Sequence, residues 1–330
     1  MGRSMKKTIG VAIIGCGLIG QKRAKFLQEN DELVGCVDLD IKKAKLLADD
    51  WSICTNDYID ITRGSDADII IVATPNKFLA EIAIDALCHN KHVLIEKPAG
   101  INSNEILKII NASVSNNKKV WVGYNHRWHP APMVVRSMIK DGVIGEVMYC
   151  RGLYGHGGRK GMETEWRAGV GELVDQGSHL IDLASWFFDH SEWCHVDGLT
   201  PSYFWDGYTD DNAFMTLVNK NNQTAFLHAS CTEWRNMFQF EIYGKLGKLR
   251  IDGLGGSYGI ERLTWYDMSE QNTFPIITGW EYPQPDESWV KEWTAFKNVI
   301  KYDLNPTSSI YDALDVMETI EKIRRANDNY

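Results

Sequence analysis

Residues 9–20 read IGVAIIGCGLIG, an apolar run typical of a buried strand that is followed at once by three glycines. Gly15, Gly17 and Gly20 form the pattern G-x-G-x-x-G at the point where the strand would end and a helix would begin. At such a junction the first glycine permits a tight turn, the second lets a pyrophosphate approach the backbone, and the third allows the helix to pack closely on the strand. The pattern therefore predicts a dinucleotide-binding turn.

Asp38 ends the next strand, within the segment ELVGCVDLD, about twenty residues after the first glycine. A carboxylate there can accept hydrogen bonds from both adenosine ribose hydroxyls and would repel a 2′-phosphate, so we expect NAD rather than NADP. Lys42 and Lys43 would be the groups that meet a 2′-phosphate if NADP is used instead. The helix that opens at Leu18 and Ile19 should aim its unpaired N–H groups at the phosphates. The alternative for Asp38 is an ordinary surface carboxylate in a loop.

The composition excludes several classes of partner. The chain has 330 residues, 44% of them hydrophobic, and a formal net charge of −9, which argues against binding to nucleic acid or to an anionic membrane. No apolar run approaches the length of a membrane-spanning helix. Seven cysteines without any C-x-x-C pair predict free thiols in a reducing compartment. The chain starts without a signal peptide, so we expect a cytoplasmic protein.

The order of elements predicts an α/β fold with two domains. Strands and helices alternate over residues 1–124, which predicts a doubly wound parallel sheet, the Rossmann arrangement. Residues 125–330 are rich in β segments separated by polar turns. They predict an α+β domain with a large, mostly antiparallel sheet, responsible for substrate binding and oligomerisation. The C-terminal helix is free to pack back on the first domain.

Two segments follow buried strands of the first domain, where ligands of open α/β sheets bind. Thr74, Pro75 and Asn76 follow the apolar run IIIVA, and Asn76 alternatively serves only to cap the next helix. Glu96 and Lys97 follow the run VLI and precede Pro98, which could form a cis peptide bond. A lysine at this place could bind a substrate hydroxyl and stabilise an alkoxide. The alternative is a solvated loop.

The segment 169–182, GVGELVDQGSHLID, holds a further pair of ionisable residues. Asp175 and His179 are four residues apart and would share one face of a helix, with Asp182 on the same stripe at the next turn. A carboxylate near a histidine can orient it as a general base. The pair could also ligate a metal, but no partner motif supplies a third ligand, so we expect no metal. The alternative is that Asp175 and His179 have only a structural role on an amphipathic helix.

Together GCGLIG, Asp38, ATPN, EKP, GYNHRWHP and GVGELVDQGSHLIDLASWF resemble the glucose–fructose oxidoreductase, inositol dehydrogenase and rhizopine-catabolism (Gfo/Idh/MocA) family over essentially the whole chain. The resemblance implies an NAD(P)-dependent dehydrogenase that acts on CH–OH groups. It implies that Lys97, Asp175 and His179 form the catalytic set and that Asn125 and Arg127 line the cleft near the cofactor. Many members carry a histidine shortly after ATPN, where this chain has Lys77-Phe78-Leu79, so any contact of that histidine is not expected here.

The family resemblance implies a sugar or cyclitol derivative as substrate. The segments around Tyr154, Arg159, Trp166 and Arg167 supply aromatic and cationic groups suited to a sugar ring and an anion. These residues, with the catalytic set, are the expected substrate contacts. Because Arg127, Arg159 and Arg167 fall near one implied cleft, we expect a phosphate- or nucleotide-linked sugar of polysaccharide or amino-sugar metabolism. A neutral cyclitol or free sugar is the alternative, and any of these arginines could be an ordinary surface charge.

Two further alternatives concern the class of protein. One is a non-catalytic NAD(H)-binding regulator of the same fold, which would be expected to lack Lys97 or His179, and both are present. The other is an enzyme that never releases its cofactor and performs internal redox recycling or a lyase step. Strands such as 213–218 and 238–242 carry apolar residues at both odd and even positions, so both faces of their sheet would be apolar. An apolar face left open is an association surface, so we also expect a homodimer or homotetramer.

Overall fold

The computed structural model describes residues 8–158, 169–207, 209–270 and 273–327, and the chain divides into two compact units. The first unit comprises Met1–Tyr124 and Trp289–Leu314, and the second comprises Asn125–Ser288 and Asp315–Tyr330. The second unit is therefore not the continuous stretch 125–330 that the sequence predicted, because the chain returns to the first unit over residues 289–314.

The first unit contains a six-stranded parallel sheet, which confirms the predicted doubly wound fold. Its strands are β1 (Ile9–Ile14), β2 (Asp31–Val37), β3 (Ile53–Thr55), β4 (Ile69–Val72), β5 (His92–Ile95) and β6 (Val120–Val122), in the order β3-β2-β1-β4-β5-β6. The order reverses between β1 and β4, and ligands of such sheets bind at the carboxyl edge beside this reversal. β4 is buried along its whole length, as a central strand with helices on both faces should be.

The helices of the first unit follow the predicted alternation. They are α1 (Leu18–Lys25), α2 (Ile41–Leu47), α3 (Tyr58–Gly64), α4 (Asn76–Cys88) and α5 (Ser103–Asn116). The unit also includes α9 (Ser288–Lys301) except its first residue, and α10 (Ile310–Asn327) as far as Leu314. α1 is shorter than the sequence predicted, ending at Lys25 instead of near Glu29. The chain tightens there, because Phe26 and Leu27 donate to carbonyls three residues back instead of four.

The second unit contains an eight-stranded sheet, which confirms the large, mostly antiparallel sheet. The strands are β7 (Val147–Gly155), β8 (Trp193–Leu199), β9 (Asn212–Asn219), β10 (Thr224–Ser230), β11 (Met237–Gly244), β12 (Gly247–Asp252), β13 (Glu261–Asp267) and β14 (Ile276–Tyr282). Their order is β14-β13-β12-β11-β7-β10-β9-β8, and β7 and β10 run parallel. β14 was not predicted from the sequence, because Pro275, Pro283 and Pro285, which flank it, are typical of a loop.

Short helical elements position the functional residues of the second unit. They are a 3-10 turn (Asn125–Trp128), α6 (Pro130–Lys140), α7 (Glu172–Asp175) and α8 (Gly177–Phe187). All seven cysteines are free thiols, as predicted. Among the described residues, none of the helices combines the length and the hydropathy needed to cross a lipid bilayer.

Candidate active site

The glycine turn after β1 has the geometry that a dinucleotide requires. Gly15 adopts a φ of +96°, and a Cβ atom there would lie 2.5 Å from the carbonyl oxygen of Ala73. A Cβ on Gly20 would lie 2.0 Å from the carbonyl oxygen of Gly15, so only glycine lets α1 approach the turn. A Cβ on Gly17 would meet no atom within 4 Å. The turn is therefore closed at its first and third glycines and open at the second, where a pyrophosphate would lie.

Asp38 follows β2 and is bonded to this turn. One carboxylate oxygen accepts a hydrogen bond from the N–H of Cys16 at 2.9 Å, and the other accepts from the N–H of Asp40 at 2.9 Å. Each oxygen of an ionised carboxylate can accept further bonds, so both remain able to accept from ribose hydroxyls. Leu18 and Ile19 are the first residues of α1, as the sequence predicted, and Leu18 is exposed.

The segment after β4 contributes a hydroxyl that needs a partner. The Oγ1 atom of Thr74 is buried, and within the described part of the chain it makes no hydrogen bond. Buried polar atoms are normally bonded, so a ligand is the natural partner for this one. Pro75 is the N-cap residue of α4 and Asn76 is the first residue inside it, without a side-chain cap bond. The suggestion that Asn76 merely caps the helix is therefore wrong.

Glu96 and Lys97 lie in a tight turn after β5. The N–H of Ala99 donates to the carbonyl of Glu96 at 3.0 Å, and the peptide bond between Lys97 and Pro98 is cis. The turn lies at the same carboxyl edge as the glycine turn, because β1, β4 and β5 run parallel and are neighbours. The first unit thus places Lys97 on the edge that carries the dinucleotide turn.

Glu96 was expected to contact the cofactor, but the structure gives its carboxylate a protein partner. Arg23 of α1 is buried and donates to Glu96 from Nε at 2.6 Å, while Nη1 donates to Glu292 of α9. The guanidinium also lies 4.4 Å from the ring centroid of Trp289, and Trp121 Nε1 donates to Glu292 at 3.2 Å. Glu96 therefore anchors the turn that carries Lys97 to the helix that follows the glycine turn.

In the second unit, Asp175 and His179 do not lie on one continuous helix. α7 ends at Asp175 and α8 begins at Gly177, because the N–H of His179 donates to the carbonyl of Gln176, only three residues back. The carbonyl of Asp175 instead accepts a bond from the hydroxyl of Ser178 at 3.3 Å. The premise that one continuous helix carries both residues is therefore wrong.

His179 is buried and bonded to a second histidine. Its Nδ1 atom lies 2.7 Å from Nδ1 of His126, in the 3-10 turn, and the two ring centroids are 3.8 Å apart at 61°. His126 packs edge-on against Tyr154, with ring centroids 5.1 Å apart. His126 lies in the stretch NHRW, but no sequence pattern singles it out, because only the fold brings it to His179.

Arg127 was expected to bind the cofactor or an anionic substrate, and the structure shows a different partner. Its Nε donates to Asp182 of α8 at 2.9 Å, and its Nη2 donates to the other carboxylate oxygen. The residue is only 2% exposed and Asp182 is fully buried. This two-pronged bond ties the 3-10 turn to α8, and the expected contact of Arg127 with a ligand stays a prediction.

The remaining expected contacts divide between the described and the undescribed parts of the chain. Asn125 Nδ2 donates to the hydroxyl of Ser288 at 3.2 Å. Tyr154 is buried against His126, Phe238 and Tyr258, so it supports the histidines instead of offering an open face to a sugar ring. Burial raises the pKa of its phenol well above the usual range, with Tyr258 adding to the effect. Arg159, Trp166 and Arg167 lie outside the described residues.

Buried acids surround the start of α7. Asp210 accepts a bond from the N–H of Leu173 at 2.8 Å, and burial raises its pKa to about 7. Burial also raises the pKa of Glu172, which lies 3.4 Å from Nε2 of His156. This cluster was not predicted from the sequence, because residues 172 and 210 are far apart in the chain and only the fold brings them together. Among the described residues, no group of three or more His, Cys, Asp or Glu side chains is arranged to hold a metal ion.

Comparison with known proteins shows the family of the chain. Residues 9–124 match a family described as an oxidoreductase family with an NAD-binding Rossmann fold, and residues 133–250 match the GFO/IDH/MocA C-terminal domain. The inositol 2-dehydrogenase of Rubrobacter xylanophilus is 26% identical over 207 residues, which cover 61% of this chain and 58% of that protein. The levoglucosan dehydrogenase of Pseudarthrobacter phenanthrenivorans is 33% identical over 137 residues, which cover 39% of this chain and 35% of that protein.

Solved structures share the fold over nearly the whole length. A levoglucosan dehydrogenase in complex with NADH and levoglucosan superposes with a TM-score of 0.86 at 20% identity, covering 98% of this chain and 97% of that one. The two sequence alignments span less than two thirds of the relatives' own lengths. The family models and the fold therefore agree over both units. The substrates named for the relatives are known for those proteins alone.

Proposed function

The chain belongs to the Gfo/Idh/MocA family of NAD-binding oxidoreductases, and on this premise we propose that it oxidises a hydroxyl-bearing carbon of a sugar or cyclitol, or reduces the corresponding ketone. The observation that carries the proposal is the carboxyl edge of the first sheet. There the open glycine turn, Asp38, the unpartnered hydroxyl of Thr74 and Lys97 follow neighbouring parallel strands.

The residues of this edge fit a nicotinamide dinucleotide. The backbone at Gly17 and the first N–H groups of α1 would hold the pyrophosphate, and Asp38 would accept from the adenosine ribose. Thr74 would satisfy its hydroxyl on the bound molecule. When bound, the nicotinamide supplies the hydride chemistry. Asp38 favours NAD over NADP in this proposal, because its charge opposes a 2′-phosphate.

The protein's own part is to hold the reacting hydroxyl and to move its proton. Lys97 would bind the reacting oxygen and stabilise its developing negative charge. His179 would accept the hydroxyl proton as general base, and Asp175 would orient the substrate through a neighbouring hydroxyl. These roles are supported by the family's catalytic pattern, onto which Lys97, Asp175 and His179 fall residue by residue.

The substrate could be anionic or neutral, and the arginines of the chain bear on this choice. A phosphate- or nucleotide-linked sugar was expected from three arginines, but Arg127 is engaged by Asp182, which leaves Arg159 and Arg167 to support that expectation. This engagement favours the second candidate, a neutral cyclitol or free sugar. To separate them, kcat/KM is compared for a free sugar and its phosphate at low and high salt. A salt-sensitive preference for the phosphate supports the anionic substrate, and equal values without salt dependence support the neutral one.

The proposed roles are tested by turnover of Lys97→Ala and His179→Ala on a substrate found by screening polyols, sugars and sugar phosphates with NAD. Each variant should lose about 100- to 10,000-fold in kcat, the usual contribution of acid–base help, while its affinity for NAD stays near that of the wild type. Lys77→Ala, which changes a lysine outside the catalytic set, is the matched control and should keep normal turnover. Near-normal turnover of either test variant would show that its assigned role is wrong.

A further inference from the structure

We propose that His126 is a positioning residue for the reaction, which holds His179 in the tautomer whose Nε2 atom can accept a proton. The inference rests on the proposed function, in which His179 takes the hydroxyl proton. It starts from the 2.7 Å distance between Nδ1 of His126 and Nδ1 of His179, in a site where both rings are buried.

The hydrogen bond between the two rings couples their tautomers. A neutral imidazole carries one N–H, so one of the two Nδ1 atoms donates and the other accepts. If Nδ1 of His179 donates, its Nε2 keeps a lone pair and can accept a proton from substrate. If Nδ1 of His126 donates, Nε2 of His179 carries the hydrogen and the ring cannot act as a base. Which nitrogen carries the proton is set by the bond that the other nitrogen makes, so His126 must accept for His179 to work.

The fold holds His126 in place through its neighbour in the chain. Arg127, the next residue of the 3-10 turn, is bonded through two nitrogens to Asp182 of α8. Asp182 lies three residues after His179 on α8, so the consecutive residues 126 and 127 each bond to an α8 side chain one turn apart. The buried pair therefore fixes the 3-10 turn against α8 and keeps the two imidazoles in register.

The ring of His126 is also packed from its other sides. Tyr154 contacts it edge-on, and Phe238 of β11 stacks near it with centroids 6.2 Å apart and planes at 22°. This packing limits rotation of the imidazole, so its Nδ1 atom stays directed at His179. The same bond would stabilise the imidazolium that forms when His179 accepts the substrate proton, because Nδ1–H then donates to an uncharged acceptor.

Two substitutions of His126 distinguish the effect of its Nδ1 acceptor from the effect of its ring packing. His126→Phe keeps an aromatic ring between Tyr154 and Phe238 but has no acceptor. His126→Asn places an amide oxygen as many bonds from Cβ as Nδ1 is, so it can accept from His179. We expect His126→Phe to lower kcat by about 100- to 10,000-fold with little change in KM, as for a general base held in the wrong tautomer. His126→Asn should recover to within about tenfold of the wild type, the scale of one altered hydrogen bond.

The matched controls are His228→Phe and His228→Asn, which make the same changes at a histidine of β10 that stacks on Phe214. Both should keep normal turnover. If His126→Phe turns over like the controls, or if His126→Phe and His126→Asn lose equally, the nitrogen of His126 plays no positioning part and the proposal is overturned.

A spectroscopic readout keeps the inference separate from the proposed function. Histidine ¹⁵N spectra of the wild type should show the His179 hydrogen on Nδ1 and a lone pair on Nε2, whatever the substrate. His126→Asn should keep that tautomer and His126→Phe should lose it. A wild-type spectrum with the hydrogen on Nε2 of His179 overturns the inference. If the wild type shows the expected His179 tautomer but His179→Ala keeps normal turnover, the proposed role of His179 as base is contradicted instead.

Discussion

In the proposed function, Asp38 is the residue on which the choice between NAD and NADP depends. Its two carboxylate oxygens fix the N–H groups of Cys16 and Asp40, so the charge is held at the end of β2 beside the glycine turn. A fixed negative charge near the adenosine ribose opposes a 2′-phosphate, whereas the nearby Lys42 and Lys43 would favour one.

We expect the wild type to bind NAD more tightly than NADP and Asp38→Asn to reduce that preference, because the amide is uncharged. Asp40→Asn removes an equal charge two residues away and keeps the helix cap on Lys42, so it should leave the preference almost unchanged. Calorimetric dissociation constants for both cofactors test this. Equal or tighter binding of NADP by the wild type would overturn the assignment.

For single residues, roles that depend on near neighbours in the sequence were predictable, whereas contacts with residues far along the chain were not. The roles of Gly15, Gly17 and Gly20 follow from spacing along a few residues, and the structure reproduces their spatial requirements. The partner of Arg127 is 55 residues away and the partner of His126 is 53 residues away. Because no local pattern relates residues that far apart, the sequence assigned Arg127 to a ligand and passed over His126.

Among the elements, α1 connects two functional turns through a buried charge. Arg23 lies between the carboxylates of Glu96 and Glu292, and a Cβ on Gly123 would come within 2.6 Å of its Nη2 atom. The element therefore depends on an ion pair that has little access to water. Removing one partner of such a pair leaves uncompensated buried charge.

We expect Arg23→Met to lower the free energy of unfolding by about 3–5 kcal/mol, because both carboxylates lose their cationic partner. Lys220→Met, which breaks the exposed ion pair with Glu192, is the control and should leave stability essentially unchanged. Urea unfolding of both variants measures the difference. A loss in Arg23→Met no larger than in the control would show that the buried cluster contributes little.

A second element-scale prediction concerns Asp210, which accepts from the first turn of α7. Its folded-state pKa, raised by burial to about 7, exceeds the ordinary value of 3.8, so the folded protein holds this proton more tightly than the unfolded chain. The resulting stability is complete below about pH 4 and is lost as the pH rises through 7. Asp210→Asn keeps the acceptor and cannot ionise. Between pH 4 and 7 the unfolding free energy of this variant should therefore fall less steeply than that of the wild type. The two slopes should differ by up to about 1.4 kcal/mol per pH unit. Parallel curves would contradict the assignment.

Element types were easier to predict than their ends. Continuous apolar strands and helices of the first unit follow from hydrophobic pattern and alternate as expected. The break between α7 and α8 depends on bonds at Gln176 and Ser178 that pattern alone does not reveal. β14 was missed because flanking prolines suggested a loop.

For the whole molecule, the eight-stranded sheet has a face that suggests assembly. α7 and α8 pack on one side of it. On the other side, Phe214 and Phe226 of neighbouring strands are 38% and 50% exposed. Apolar side chains on an open sheet face mark an association surface, and two copies can cover each other's face symmetrically. We therefore infer a homodimer or homotetramer.

Light scattering should give a mass of at least twice the 37.5 kDa of the chain. Phe226→Glu should shift the protein toward monomer, because it buries a charge in the proposed contact, whereas Leu46→Glu on the exposed side of α2 should not. A wild-type mass near 37.5 kDa at micromolar concentration would refute assembly.

The central claim is that this chain moves a hydride between a carbinol carbon and a nicotinamide with the help of His179. It is tested by incubating the protein with NAD and a screened polyol deuterated at the reacting carbon, followed by mass spectrometry of the dinucleotide. We expect reduced dinucleotide carrying one deuterium in the wild type, formed at least about 100-fold more slowly by His179→Ala. Consumption of the polyol without deuterium in any dinucleotide, bound or free, would contradict the claim.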